Sequence, residues 1–298
     1  MKSYDGLRDE MEAIQQQIVE ALRLIYRTVR SFLRVIENVV SPSTACVLQN
    51  LFLLLHGSKL RFYYDKESKL FVATENATKR YFGDMNRGFN FYGRSLFTRG
   101  KNLSDSYCLE NITFKKSDIV VDCGANYADL FISLDGKIQE NNYITFEPGP
   151  IEYKCITKSV PNARNFNVGL SNFEGEMEFY LCSESGDSSL VQPKKYTDIV
   201  KVKVTTLDKI IASEGIDRFK LLKLEAEGWE PEILDGASES LKKCEYVAID
   251  GGHERGVNCE ATFHTLNNIL LGNDFVMIDI YGPAYRALYQ NTVIASEK

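Results

Sequence analysis

The sequence predicts a doubly wound, mostly parallel α/β (Rossmann-like) sheet over roughly the last two thirds of the chain, with a helical and hairpin extension ahead of it. Three observations predict it. From Asp118 onward, short apolar runs alternate with helical segments. The first run ends at Asp122 and turns through a lone glycine, Gly124. The second ends in an acid, Glu147, 23 residues after that glycine. Runs that are apolar on both faces and separated by helices are what a buried parallel sheet requires.

Taken in order, residues 8–40 lack proline and carry Met11, Ile14, Ile18, Leu22, Ile25, Val29, Phe32, Ile36 and Val39 at steps of three and four. That spacing predicts one long amphipathic helix, assigned to 1–45, with Ser41-Pro42-Ser43 as its stop. Arg23, Arg27, Arg30 and Arg34 form a basic stripe beside its apolar face. Such a stripe is the solvated flank of a helix packed in a homo-oligomer or on its own domain, or else a peripheral contact with an anionic membrane. In the extension, 46–104, the alternation of 60–64 and 69–74 around Asp65-Lys66-Glu67-Ser68 predicts a hairpin. Residues 81–107, rich in Gly and aromatics without a period, read as irregular, with Phe89, Phe91, Tyr92 and Phe97 assigned to core packing rather than to a ligand pocket. The α/β domain, 105–298, places its strands at 119–123, 143–146, 166–170, 221–224, 246–249 and 275–280. Alternation across 175–204 adds a pair of strands before a helix at 206–212, and 286–295 reads as a closing antiparallel strand.

Composition narrows the partners. A net charge of -6 argues against a general nucleic-acid binder. Seven cysteines without a C-x-x-C pair fit a reduced compartment and disfavour a disulfide framework or thiolate zinc site. The first 20 residues are too charged for a secretory signal, and the longest apolar run, 51–55, is far too short to span a bilayer. The expected compartment is the cytoplasm.

The sharpest local signal is V-V-D-C-G-A-N-Y-A-D from Val120 to Asp129. A strand turning through Gly124 into a helix near Asn126 would aim backbone amides at a ligand, with the bare glycine allowing close approach. Glu147 at the next strand tip is placed to accept both hydroxyls of a ribose. A pyrophosphate cradle wants G-x-G-x-x-G, whereas this loop has one glycine and an acid, Asp122, at its mouth. A carboxylate there repels phosphate and suits the ammonium of a methionine tail, which favours S-adenosylmethionine over NAD.

With these strings the sequence resembles the FkbM-type methyltransferases, whose loop reads D-x-G-A-N-x-G-D, whose second strand ends F-E-P, and whose later strand carries L-K-x-D-x-E-G. The matching strings are D-C-G-A-N-Y-A-D from Asp122, F-E-P from Phe146 and L-K-L-E-A-E-G from Leu222, with T-L-D at Thr206 between them. Ala128 replaces the family's glycine, and Glu225 stands in place of its Asp. The resemblance implies a seven-stranded methyltransferase sheet, S-adenosylmethionine as donor bound by Asp122, Gly124, Asn126, Asp129 and Glu147, and O-methylation of sugars in glycans or of natural products. The acceptor expected is a small molecule or glycan. An NAD-linked oxidoreductase and a non-catalytic scaffold are the competing classes.

For the chemistry, Lys223, Glu225 and Glu227 alternate on the fourth strand and so share one face beside the loop. A lysine among Leu221, Leu222 and Leu224 needs a partner, either as an ion pair with Glu225 that orders the strand tip or as part of the catalytic apparatus. His253 follows the fifth strand on Asp250-Gly251-Gly252 and titrates in the range needed to take a hydroxyl proton. Catalytic roles are therefore assigned to His253, Glu225 and Lys223. Glu225, Asp250 and His253 are of metal-ligating type, but nothing in their spacing sets a geometry, and no metal site is assigned.

Overall fold

The computed structural model describes residues 39–93, 95–182 and 187–297. The long amphipathic helix expected over 8–40, with its arginine stripe, lies almost wholly outside them.

A seven-stranded sheet forms the centre, in the order β14-β15-β11-β10-β4-β5-β6. Strands β4 (Val120–Cys123), β5 (Tyr143–Phe146), β6 (Arg164–Phe166), β10 (Phe219–Leu224) and β11 (Cys244–Asp250) are mutually parallel. The closing strand β15 (Arg286–Asn291) runs antiparallel to both β11 and β14 (Phe275–Tyr281). The chain winds outward from β4 to β6 and then returns to lay β10 on the other side of β4. That reversal opens a crevice at the strand C-termini between β4 and β10, the position where ligands bind in doubly wound sheets. The period of two sorts the strands cleanly. Val121, Ile144, Leu222 and Val247 enter the apolar layer under α6 (Leu207–Ser213), α7 (Glu230–Asp235) and α9 (Phe263–Gly272). Val120, Tyr143, Leu221 and Ala248 enter the opposite layer with Phe131 and Tyr107. Between β6 and α6, β8 (Gly175–Leu181) and β9 (Asp198–Thr205) make the expected extra antiparallel pair, and Thr206 caps α6 by accepting from the Lys209 amide at 3.2 Å.

Several expectations are corrected. The helix expected to stop at Ser41-Pro42-Ser43 lies outside the described residues, but the boundary drawn at residue 45 is moved. Ser41 caps a new helix, α1 (Pro42–Leu55), whose first turn takes the proline at no cost. The hairpin β1 (Arg61–Asp65) and β2 (Leu70–Glu75) carries a third strand, β3 (Thr78–Phe82). Residues 81–107 are not irregular; they hold α2 (Met85–Tyr92) and α3 (Leu96–Ser106), capped by Asp84 and Ser95. The run at 166–170 is two strands in different sheets, β6 and β7 (Gly169–Leu170). Asn167 separates them, its Nδ2 donating to the Glu147 carbonyl at 2.8 Å. No helix begins at Asn126, because Asn126 and Ala128 both sit at positive φ, +53° and +59°; the helix, α4 (Phe131–Leu134), starts later.

The extension packs onto the central domain. Phe62, Phe82, Phe89 and Tyr92 share one apolar cluster with Tyr127, Ile132 and Cys155. Phe89 and Tyr92 are thus core, as expected, while Phe97 is 48% exposed. Among the described residues, no helix is long and apolar enough to cross a membrane.

Candidate active site

The crevice between β4 and β10 is a cavity of about 300 Å³, at the lower end of the volumes that hold a nucleoside-sized ligand. Asp122, Gly124, Asn126, Asp129, Glu147, Lys223 and Glu225 all line it. His253 does not.

The loop after β4 is pinned from three sides. The Gly124 and Ala125 amides donate to the Phe146 carbonyl at 3.1 and 3.2 Å, and the Asn126 amide donates to Glu147 Oε2 at 2.9 Å. The expectation that these amides face a ligand is therefore corrected: they fasten β4 to β5. Gly124 has φ +69°, and a Cβ there would stand 1.7 Å from the Glu225 carbonyl oxygen. What comes close to the bare glycine is the chain itself. Glu147, 7% exposed, also accepts from the Gly149 amide at 2.9 Å. Burial, reinforced by Glu152, raises its carboxyl to about 8. The side-chain Oδ1 of Asn126 is buried on the cavity wall with no hydrogen-bond partner among the described residues.

Lys223 is 2% exposed and forms the hub of the strand tips. Its ammonium lies 3.1 Å from Asp122 Oδ1 and 2.9 Å from Glu225 Oε2, and donates to the Gly124 carbonyl at 2.8 Å. Burial disfavours this charge, but Asp122 and Glu225 outweigh it and raise the lysine above its ordinary value. Asp122, which also accepts from the Tyr143 hydroxyl, is pushed up by burial against the pull of Lys223. Glu225 is opposed by burial too, yet Lys223 and Arg286 bring it down to about 2. The Lys223–Glu225 ion pair read from the strand alternation is present, and it extends further than the alternation shows. Arg286 on β15 donates to Glu225 Oε1 and to Asp250 Oδ2, each at 2.6 Å, and to Ser106 Oγ at 2.9 Å, with its guanidinium 4.5 Å from the Tyr107 ring centroid.

That guanidinium bridges Glu225 and Asp250, while His253 lies apart. The histidine opens the short strand β12 (His253–Arg255), is exposed, and has its Nδ1 3.3 Å from the Cys259 carbonyl. No three His, Cys, Asp or Glu side chains among the described residues are grouped to hold a metal ion.

Two cavity-lining residues, Arg99 and Phe91, escape the sequence reading, while Glu227, expected to share a face with Lys223 and Glu225, reaches the cavity as well. Glu227 lines the cavity beside Glu225 from a left-handed backbone position, φ +51°, anchored where Ser189 Oγ donates to its carbonyl at 2.8 Å. Burial, with Glu254 and Glu225 nearby, raises its carboxyl well above the usual range. Glu230, fully buried, accepts from the Ala226 and Gly228 amides at 2.7 and 3.1 Å and closes the turn that presents Glu227. Burial raises it to about 7. Arg99 and Phe91, on the extension, reach the cavity, and Arg99 Nε donates to Asp129 Oδ2 at 2.9 Å. Asp129 Oδ1 accepts from the Tyr92 hydroxyl at 2.6 Å. Glu227 is signalled by its alternation with Lys223 and Glu225, Glu230 only by its place in the E-A-E-G-W-E string, and Arg99 by nothing along the chain. The lining also carries the apolar side chains of Phe146, Val168, Leu170, Phe179, Leu190 and Ile233.

A crevice at the switch point of a doubly wound, Rossmann-like sheet, lined by carboxylates and by apolar side chains, is where such folds take their ligands. The chain belongs to the FkbM methyltransferase family: the methyltransferase FkbM domain matches residues 122–277. It is 22% identical to the methyltransferase sdnD of Sordaria araneosa over 47% of this chain and 68% of that protein. It is 24% identical to the 2-O-methyltransferase NoeI of Sinorhizobium fredii over 45% of this chain, and the match spans 63% of NoeI's length. An rRNA methylase from Streptococcus thermophilus superposes with a TM-score of 0.36 at 14% identity, over 65% of this chain and 97% of that one.

Proposed function

We propose that this methyltransferase uses S-adenosylmethionine and methylates a hydroxyl of a sugar, in a glycan or a sugar-containing precursor. The observation that carries the donor is the setting of Glu147. Two backbone amides hold its carboxylate on the cavity wall beside the loop after β4, a placement suited to the ribose diol that joins a methionine tail to an adenine. The unpartnered Asn126 Oδ1 and the acids Asp122 and Glu225 suit an ammonium and a sulfonium, and disfavour phosphates. Transfer to oxygen rather than nitrogen is supported by the likeness to a 2-O-methyltransferase, and the sugar by the family resemblance.

When bound, the donor supplies an electrophilic methyl group and leaves as a neutral thioether, so departure needs no acid. The chain's own work is then alignment, exclusion of water and removal of the hydroxyl proton. Lys223, held protonated, and Glu225, a carboxylate of low basicity, are poor proton acceptors, and His253 lies off the cavity. Glu227 lines the cavity with its basicity raised by burial and by Glu254, and we assign it the proton.

Calorimetry with S-adenosylmethionine tests the donor: no binding, with NAD bound instead, would end this reading. Transfer of tritium from the labelled methyl donor into cell-envelope glycans and small sugar nucleotides tests the acceptor. Glu227→Gln should leave donor affinity within about threefold and lower transfer roughly 100- to 10,000-fold. Undiminished transfer removes Glu227 as the base.

A further inference from the structure

Arg99 stands on α3, ahead of the residues that match the family, yet its side chain lines the same cavity as the glycine loop. Its Nε is committed to Asp129, and its guanidinium lies 4.2 Å from the Phe91 ring centroid. Asp129 is in turn held by Tyr92. These contacts set the plane of the guanidinium and leave its two terminal amino groups without hydrogen-bond partners among the described residues. The other cations on the wall are engaged. Lys223 faces Asp122 and Glu225, Arg286 spans Glu225, Asp250 and Ser106, and Arg87 faces Glu152 and lies 4.7 Å from the Tyr127 ring centroid. A guanidinium held by one edge offers a rigid fork of N–H donors, the shape complement of a carboxylate. Acids outnumber cations on the wall and the other cations are already paired, so an anion entering the cavity needs a cation with donors to spare.

We infer that Arg99 binds the α-carboxylate of the donor's methionine tail, making the N-terminal extension part of the donor site. This rests on the S-adenosylmethionine reading above. It also accounts for Asp129, which acts by holding Arg99 in place.

The test is calorimetric, on the full chain, with S-adenosylmethionine and its decarboxylated analogue, which differ by the carboxylate alone. The wild type should prefer S-adenosylmethionine roughly 10- to 100-fold, the range of a charge-assisted hydrogen-bonded pair. In Arg99→Leu that preference should collapse to within about threefold while the analogue keeps its affinity; Arg99→Lys, which restores charge without the fork, should recover part of it. An unchanged preference in Arg99→Leu, an equal loss for both ligands, or a wild type that binds both alike would overturn the inference. A wild type that binds neither would instead overturn the donor reading itself.

Discussion

At the scale of single residues, Ala128 shows what a motif glycine is for. Its methyl group is fully buried and touches no ligand space, so the family's glycine at this position answers a demand of the backbone. With φ +59° the residue lies in the left-handed region, which costs an alanine about 1–2 kcal/mol, while its buried methyl returns about 0.8 kcal/mol. Ala128→Gly should therefore raise stability modestly, by up to about 1 kcal/mol in urea unfolding. Lys223 is the opposite case. Lys223→Met leaves Asp122 buried and unpaired and frees the Gly124 carbonyl, and should cost about 3–5 kcal/mol, measured the same way. The need for a partner was legible, since a lysine within a leucine run demands one. The second partner was not, because Asp122 reaches Lys223 only through the register of β4 on β10, in which the two residues lie side by side. Arg99 was illegible for a related reason: nothing in its neighbourhood along the chain reveals that α3 packs over α4.

At the scale of elements, the parallel strands were legible because they are buried on both faces, as in the run 221–224 within β10. Helices α2 and α3 were not. Their buried positions include Arg87, Gly88 and Gly100, which erase the apolar period, and only the caps Asp84 and Ser95 remained as signals. The glycines are there for contact. A Cβ on Gly100 would stand 2.7 Å from the Ile132 side chain, and one on Gly88 2.1 Å from the Phe82 ring. Gly100→Ala gains about 1 kcal/mol of helix propensity and forces α3 off α4, so it should destabilise by about 1–3 kcal/mol net in thermal unfolding. It should also weaken binding of S-adenosylmethionine, because the residue displaced with it is Arg99.

At the scale of the molecule, carboxyls buried at the strand tips and in the turns after them titrate out of range, and this sets the pH dependence of the fold. Glu230 is raised to about 7, and Glu147 and Glu254 to about 8, each first by burial. A carboxyl with a higher pKa folded than unfolded binds its proton more tightly in the fold. Its stabilisation is complete below the unfolded value, about 4.3, and is lost as pH rises through the folded one. Glu225, held at about 2, has the reverse sign: its contribution is present above about 4.3 and lost as pH falls toward 2. The urea midpoint should therefore be highest near pH 5 and decline toward pH 8. Glu230→Gln, which keeps the Oε1 acceptor for both amides, should flatten that decline; a midpoint rising from pH 5 to 8 would contradict the assignment.

The two walls of the cavity have different roots. One grows from β4, β5 and β10, whose side chains are locked between two apolar layers. The other comes from α2 and α3, and from Phe179 and Leu190, each held by an apolar cluster of its own. Natural drift can redraw the second wall while the first stands still. Because α3 carries Arg99, only the segment bearing Phe179 and Leu190 can be exchanged between relatives without disturbing the proposed donor site.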